Sequence, residues 1–138
     1  MAKQASLFLH RGANSTAVTF TAADTTATKT LFTAGSEDSD LKSLVITSSD
    51  TATINFQLFY YDGSTAFLIG TVRAVTLVGT DGAVNSIDML NSTALPFLPV
   101  DDAGKRYIPV KTGHSIKGGC KATMTANTAT ITAVGYDY

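Results

Sequence analysis

The sequence is poor in the residue types on which most catalytic and metal sites depend. Its 138 residues include one cysteine, two histidines and no tryptophan. A lone cysteine forms no internal disulfide, and zinc sites need three or four Cys or His ligands in paired spacings. His10 and His114 are also the only imidazoles that could activate a nucleophile, and no Gly-x-Ser-x-Gly motif is present. We therefore predict a protein that is not an enzyme and that uses no cofactor, metal or small-molecule substrate.

Three features leave alternatives open. Acidic residues in predicted loops, at 37–40 and 101–102, either bind calcium or keep the loops soluble, and neither cluster has the spacing of an EF-hand. His114 and Ser115 either join an aspartate in a catalytic triad or lie in a solvated turn. Cys120 is either a reactive thiol or a small residue at the start of a strand. We favour the structural interpretation in each case.

Charge and hydropathy argue against further classes of protein, namely nucleic-acid-binding, membrane and secreted proteins. Ten basic and eleven acidic residues leave a net charge of −1, which gives no general attraction to nucleic acid or to an anionic membrane. No apolar run approaches the roughly 18 residues of a membrane helix, and Leu7-Phe8-Leu9 is too short for a secretory signal. After Asp102 the chain carries five basic residues and one acidic residue. This excess of positive charge indicates either a basic contact patch of the nucleic-acid-binding kind or an ordinary solvated face.

What the chain has in abundance is threonine, concentrated in residues 16–33 and 123–132. Threonine is β-branched and favours strands over helices. The clearest strand is Ala52–Tyr61, in which Ile54, Phe56 and Leu58 alternate with polar residues. Asp62-Gly63-Ser64 then supplies a turn before Ala66–Val72, so we predict a hairpin, with a bulge at Gly70.

Short strands separated by turn residues continue along the chain and predict an antiparallel all-β sandwich, jelly-roll-like in form. Pro109 lacks a backbone N–H and marks an edge strand or bulge. Leu95–Pro99 is predicted to be an extended connection between strands, packed on the core through Phe97. Residues 1–15 are predicted to be an N-terminal arm, either flexible or reaching a neighbouring subunit, and residues 16–138 a single domain. The other predicted strands are Ala17–Thr21, Thr28–Thr33, Leu41–Thr47, Arg73–Val78, Val84–Leu90, Arg106–Lys111, Ser115–Lys117, Lys121–Thr125 and Thr128–Tyr136, and Gly118-Gly119 is predicted to be a turn.

Aromatic residues carry a possible contact signal. Phe59 and Tyr61 fall on the opposite face of their strand from Phe56, Leu58 and Tyr60. One end of this strand is therefore apolar on both faces, and either loops or a partner must cover it. Sugar-stacking surfaces also use exposed aromatic residues, although typically with tryptophan.

The order of the segments resembles a family of small virion proteins of tailed bacteriophages, the capsid decoration or cement type. The resemblance lies in Val18–Asp24, Lys29–Gly35, Leu41–Ser48, Ile87–Leu90, Ile108–Ile116 and the terminal Gly135-Tyr136-Asp137-Tyr138. It implies a jelly-roll-like subunit, often a homotrimer at local threefold positions, that binds the major capsid protein on the exterior of the virion and is made in the cytoplasm of the bacterial host. No catalytic residues accompany it.

We therefore expect a structural virion protein that binds across coat subunits. The alternative is a recognition module, either a phage tail or fibre domain or a carbohydrate-binding β-sandwich; a tail or head-completion protein is a further possibility within the structural class. The predicted partners are the major capsid protein and other copies of this chain, without nucleic acid or membrane. The candidate interface residues are Leu7, Phe8, Leu9, Phe59, Tyr61, Pro109, Tyr136 and Tyr138.

Overall fold

A computed structural model describes residues 12–138 and confirms the antiparallel all-β sandwich. One sheet has the strand order β1-β9-β3-β6, with β7 also paired to β3, and the other has the order β2-β8-β4-β5. A 3-10 turn, Ala22–Asp24, follows β1. The strands are β1 Gly12–Thr21, β2 Lys29–Thr33, β3 Ser39–Ser48, β4 Ile54–Tyr61, β5 Ala66–Ala74, β6 Ile87–Asp88, β7 Ile108–Val110, β8 Ser115–Cys120 and β9 Thr128–Asp137.

The first sheet is built on β9, which lies between β1 and β3. β1 pairs with β9 without interruption from Gly12, opposite Asp137, to Thr21, opposite Thr128. Residues 12–15, which the sequence analysis placed in the arm, therefore belong to the sheet. Leu7, Phe8 and Leu9 lie outside the described residues.

The second sheet contains the predicted hairpin of β4 and β5. Its register shifts between Leu58, opposite Gly70, and Phe59, opposite Leu68, so that Ile69 is the extra residue of a bulge beside Gly70. β5 continues to Ala74, and the separate strand predicted over Arg73–Val78 is wrong. The chain instead turns after Ala74, where the N–H of Val78 donates to the carbonyl of Val75.

The core lies between the two sheets and is filled by alternate residues of their strands. Phe20 of β1 meets Phe56 of β4 edge to face, with ring centroids 5.1 Å apart. Both rings are fully buried. Such a pair adds about 0.5–1.5 kcal/mol beyond the burial of its apolar area. These contacts bring the two sheets together over their central strands.

Gly118 and Gly119 lie inside β8, and the turn predicted there is wrong. A Cβ on Gly118 would lie 2.5 Å from Cε1 of Phe56, and one on Gly119 would lie 2.8 Å from the carbonyl oxygen of Ala27. These glycines serve close packing rather than chain reversal. The turn falls after Cys120 instead.

Two other strand predictions are wrong in extent or in kind. Residues 121–125 are irregular, because the buried Asp50 carboxylate accepts the N–H of Thr125 and holds this segment away from a ladder. Strand pairing over 84–90 is confined to Ile87–Asp88. The N–H of Leu90 turns to the Asp88 carboxylate, which ends the strand.

Two predictions concerned single residues of the connecting segments. Pro109 lies in β7, which pairs only with β3 and is an edge strand as predicted. Phe97 does not pack on the core, because it is 60% exposed. Its neighbours Leu95 and Leu98 are buried instead and belong to the core.

Candidate interaction surfaces

Three of the predicted interface residues lie together around Asp40. Tyr136 of β9 and Pro109 of β7 are both opposite Asp40 in the sheet, one on each side of β3. The hydroxyl of Tyr138 donates to the Asp40 carboxylate, which is buried. The pKa of Tyr138 is raised, first by burial and then by this bond to Asp40. The chain terminus is thereby fixed on the sheet.

A cleft of about 330 Å³ opens beside this cluster. Tyr60, Tyr107 and Tyr138 contribute phenol rings to it, and Asp38 and Lys111 contribute polar groups. The polar groups of the cleft already bond within the protein: Asp38 accepts the N–H of Thr112, and the Tyr60 hydroxyl accepts the N–H of Lys111 at 3.3 Å. Aromatic walls with fixed polar groups suit a planar or ring-shaped ligand.

Phe59 and Tyr61 lie elsewhere, on the outer face of the second sheet. The Lys117 ammonium lies 4.2 Å from the centroid of the Tyr61 ring, and Leu68 is opposite Phe59 in β5. Both aromatic side chains are half-buried. The five predicted residues that the structure describes therefore form two groups on opposite outer faces.

The polar residues considered for catalysis have structural partners. Nδ1 of His114 lies 2.9 Å from the Tyr60 hydroxyl, and the two rings meet edge to face. Ser115 is buried at the start of β8, opposite Tyr61. Cys120 is also buried, and this burial raises the pKa of its thiol. A raised pKa disfavours the thiolate, so the geometry gives no support for a reactive cysteine.

The acidic loops are held by hydrogen bonds of their own. Asp101 accepts the backbone N–H groups of Ala103 and Lys105 and forms an ion pair with Lys42 at 3.0 Å. These bonds, first that from Lys105 and then that from Lys42, lower the pKa of Asp101. Within residues 12–138, no three His, Cys, Asp or Glu side chains come together as a metal-binding group.

The basic residues after Asp102 do not form one patch. Lys105 pairs with Asp88 at 3.0 Å, Arg106 donates to the carbonyl of Leu98, and Lys117 covers Tyr61. Lys121 lies near the opposite end of the sandwich, beside Asn55. The charge asymmetry of the sequence thus corresponds to dispersed local contacts.

Sequence analysis did not identify the outer face of the first sheet as a surface. There, β1, β9 and the Ser43–Thr47 part of β3 present only uncharged residues, most of them small. We call this surface the uncharged face. The alternation of threonine in β9 was visible in the sequence, but the alignment with β1 and β3 was not. The uncharged face consists of Ala13, Ser15, Ala17, Thr19, Thr21, Ser43, Val45, Thr47, Thr128, Thr130, Thr132, Val134 and Tyr136.

A second surface missed by sequence analysis is apolar. Phe67 and Leu68 of β5 are 53% and 55% exposed, and Phe97 and Val100 are more than half exposed as well. Phe67 is opposite Tyr60 and Leu68 is opposite Phe59, so the two side chains lie on opposite faces of β5. Exposed large apolar side chains on an edge strand mark that strand as a contact element.

Comparisons with known proteins do not assign the chain to a family. No protein-family model matches the chain, and no curated protein matches it. A solved structure described as the cyanophage Pam1 capsid asymmetric unit is similar, with a TM-score of 0.45 and 13% sequence identity over 92% of this chain and 84% of that one. Among the described residues, no helix is long and apolar enough to span a membrane.

Proposed function

We propose that this chain is a non-enzymatic virion protein that decorates or cements the capsid exterior of a tailed bacteriophage by binding the major capsid protein. The observation that carries the proposal is the uncharged face. β1, β9 and the Ser43–Thr47 part of β3 present threonine, serine, alanine, valine and Tyr136 on this face without a charge among them. The carboxylates that border the face, Asp40 and Asp88, are paired with Tyr138 and Lys105. A folded partner can cover such a surface without burying an unpaired ion, which is costly.

The manner of action follows from contacts spread over neighbouring coat subunits. A subunit that binds the assembled shell but not its separated parts stabilises the shell by mass action. Opening the shell then requires those contacts to break. No residue needs to perform chemistry for this function.

The sheet topology supports the jelly-roll element of the proposal. The strands pair in nested order, β1 with β9, β2 with β8, β3 with β7 and β4 with β5. A long antiparallel hairpin folded over into two sheets has this order, as jelly rolls do. The homotrimer at local threefold positions remains part of the proposal through the sequence resemblance alone.

Binding to purified shells tests the proposal. We expect the wild-type protein to sediment with intact capsids and electron microscopy to show it on their outer surface. Thr132→Lys places a charge in the centre of the uncharged face and should weaken binding at least tenfold. Thr30→Lys is the matched control, because Thr30 is an exposed strand threonine on the outer face of the other sheet. Absence of the protein from purified virions would refute the proposal.

The tyrosine-lined cleft favours the second candidate, carbohydrate recognition at a tail or fibre position. Tyr60, Tyr107 and Tyr138 line one concave site, and the Lys42 ammonium lies 4.4 Å from the centroid of the Tyr107 ring. A glycan array tests this candidate directly. Binding that Tyr107→Ala abolishes and Thr132→Lys leaves intact would favour recognition over decoration.

A further inference from the structure

Among residues 12–138, β5 is an edge strand that lacks most of the features that usually protect an edge. It pairs only with β4 and ends the order of its sheet. Residues 66–72 contain no charge and no proline, and Phe67 and Leu68 are more than half exposed. Natural edge strands are usually blunted by lysine, proline, bulges or covering loops. Of these devices β5 has the bulge at Ile69 and the segment Ala94–Leu95, which lies against Gly70, and both leave Ala66–Leu68 regular and exposed.

The hydrogen-bonding pattern of the hairpin shows which groups of β5 point outward. The N–H of Asp62 donates to the carbonyl of Thr65 at 3.2 Å, which closes the hairpin. Hydrogen-bonded and non-hydrogen-bonded pairs alternate in an antiparallel ladder. Phe67 therefore directs its N–H and C=O toward Tyr60 of β4. Ala66 and Leu68 direct theirs toward the free edge.

We propose that this edge pairs antiparallel with β5 of a second copy about a twofold axis through Phe67. In that register Ala66 of one copy bonds with Leu68 of the other, twice, and the two Phe67 residues face each other as a close non-hydrogen-bonded pair. Aromatic cross-strand pairs of this kind are favourable. The two four-stranded sheets become one sheet of eight strands.

Charge favours a second copy in this orientation. Arg73, near one end of β5, is exposed, whereas residues 66–72 carry no charge. Antiparallel pairing places the two Arg73 residues at opposite ends of the joined strands, whereas parallel pairing would place them together. The charge of the strand is therefore compatible with an isologous contact about a twofold axis.

The mass of the purified full-length protein in solution tests this inference without any capsid. We expect light scattering at about 100 µM to give an even number of 14.4 kDa chains, a dimer if the unpaired unit is a single chain and a hexamer if it is the proposed homotrimer. Phe67→Lys should halve that mass, because it places two like charges on the axis. Phe97→Lys is the matched control, because Phe97 is a similarly exposed phenylalanine outside β5, and should leave the mass unchanged. Melting curves of both variants check that they fold.

Amide hydrogen exchange identifies the occupant of the edge. In the wild type we expect the Ala66 and Leu68 amides to be protected, and Phe67→Lys should remove that protection while the residue 67 amide, bonded to β4, stays protected. A mass unaffected by Phe67→Lys would overturn the inference. A wild-type monomer with protected amides would assign the edge to the chain's own residues. A monomer whose Ala66 and Leu68 amides become protected only when it binds capsid shells would show that the coat protein occupies the β5 edge. Either result rejects self-pairing.

Discussion

The two long sides of the sandwich satisfy their edge strands in different ways. At the β1–β2 side, polar side chains of one sheet bond to the backbone of the other. Asn14 donates to the carbonyl of Thr33 at 2.9 Å, Thr16 donates to the carbonyl of Leu31, and Lys29 donates to the carbonyl of Thr19 at 2.7 Å. We call this the closed side. The chain satisfies this edge by itself.

The β5 side is the open side. Its outermost strand is apolar, and the exposed Phe67 and Leu68 form no such bridges. The difference shows how a small sandwich can direct association. Polar bridges satisfy the edge that is to remain single, while an uncharged apolar edge is left for another chain.

The largest expected difference between the sides concerns two phenylalanines in edge strands. Phe20 in β1 is 1% exposed and contacts Phe56, whereas Phe67 in β5 is 53% exposed. Phe20→Ala should lower the free energy of unfolding by about 3–5 kcal/mol, since it leaves a cavity in the core. Phe67→Ala should change it by less than about 1 kcal/mol in the dissociated chain. Urea denaturation at low protein concentration measures both, and equal losses would contradict the distinction.

Removing a polar bridge of the closed side should give the next largest loss of unfolding free energy. The Asn14 amide donates to the carbonyl of Thr33 and to the Asp137 carboxylate, both at 2.9 Å. Asn14→Ala should cost about 1–3 kcal/mol in unfolding free energy, because two partners lose a bond. Asn55→Ala, on the exposed face of β4, is the control and should cost less than about 0.5 kcal/mol. If the two variants were equally stable, the closed side would owe nothing to Asn14.

A smaller effect is expected at Thr16, whose hydroxyl donates to the carbonyl of Leu31. Thr16→Val keeps the shape of the side chain and removes the donor, so it should cost about 0.5–1.5 kcal/mol. Thr71→Val in β5 provides the comparison on the open side, where the threonine is exposed. We expect no loss of thermal stability there. A stabilised Thr16→Val variant would show that the bridge is dispensable.

What could be predicted from the sequence was local. The β4–β5 hairpin follows from strict alternation, an Asp-Gly-Ser turn and a glycine at the bulge, all within about 20 residues. Gly118 in the middle of β8 could not be foreseen, because the reason for it is the ring of Phe56 more than 60 residues away. Phe97 was misplaced because an irregular segment has no period from which its buried side can be deduced.

The candidate surfaces show the same limit. Pro109, Tyr136 and Tyr138 could be named individually from the sequence, but their meeting at Asp40 depends on a register among β3, β7 and β9. The uncharged face likewise exists only once β1 and β9 are paired. Long-range strand register is therefore the information that composition and periodicity did not contain.

The smallest expected effect is the loss of stability at acid pH. It compares a carboxylate in the turn next to the closed side with one in the turn next to the open side. The pKa of Asp24, near the closed side, is lowered by the N–H of Thr21 and by Lys29, and that of Asp62, in the open-side hairpin, by the N–H groups of Thr65 and Ser64. A lowered folded-state pKa gives stability that is present above the unfolded value, 3.8, and lost as pH falls through the folded value. Stability should therefore fall between about pH 5 and pH 2.

Asp24→Asn and Asp62→Asn should each reduce this pH dependence, as measured by urea unfolding at a series of pH values in the Phe67→Lys background, where self-association is removed. In the wild-type background at high concentration neither variant should lower the mass, since Asp24 belongs to the closed side and the Asp62 carboxylate bonds to the N–H groups of its own turn. If Asp24→Asn lowered the mass, the contrast between the two sides would be lost.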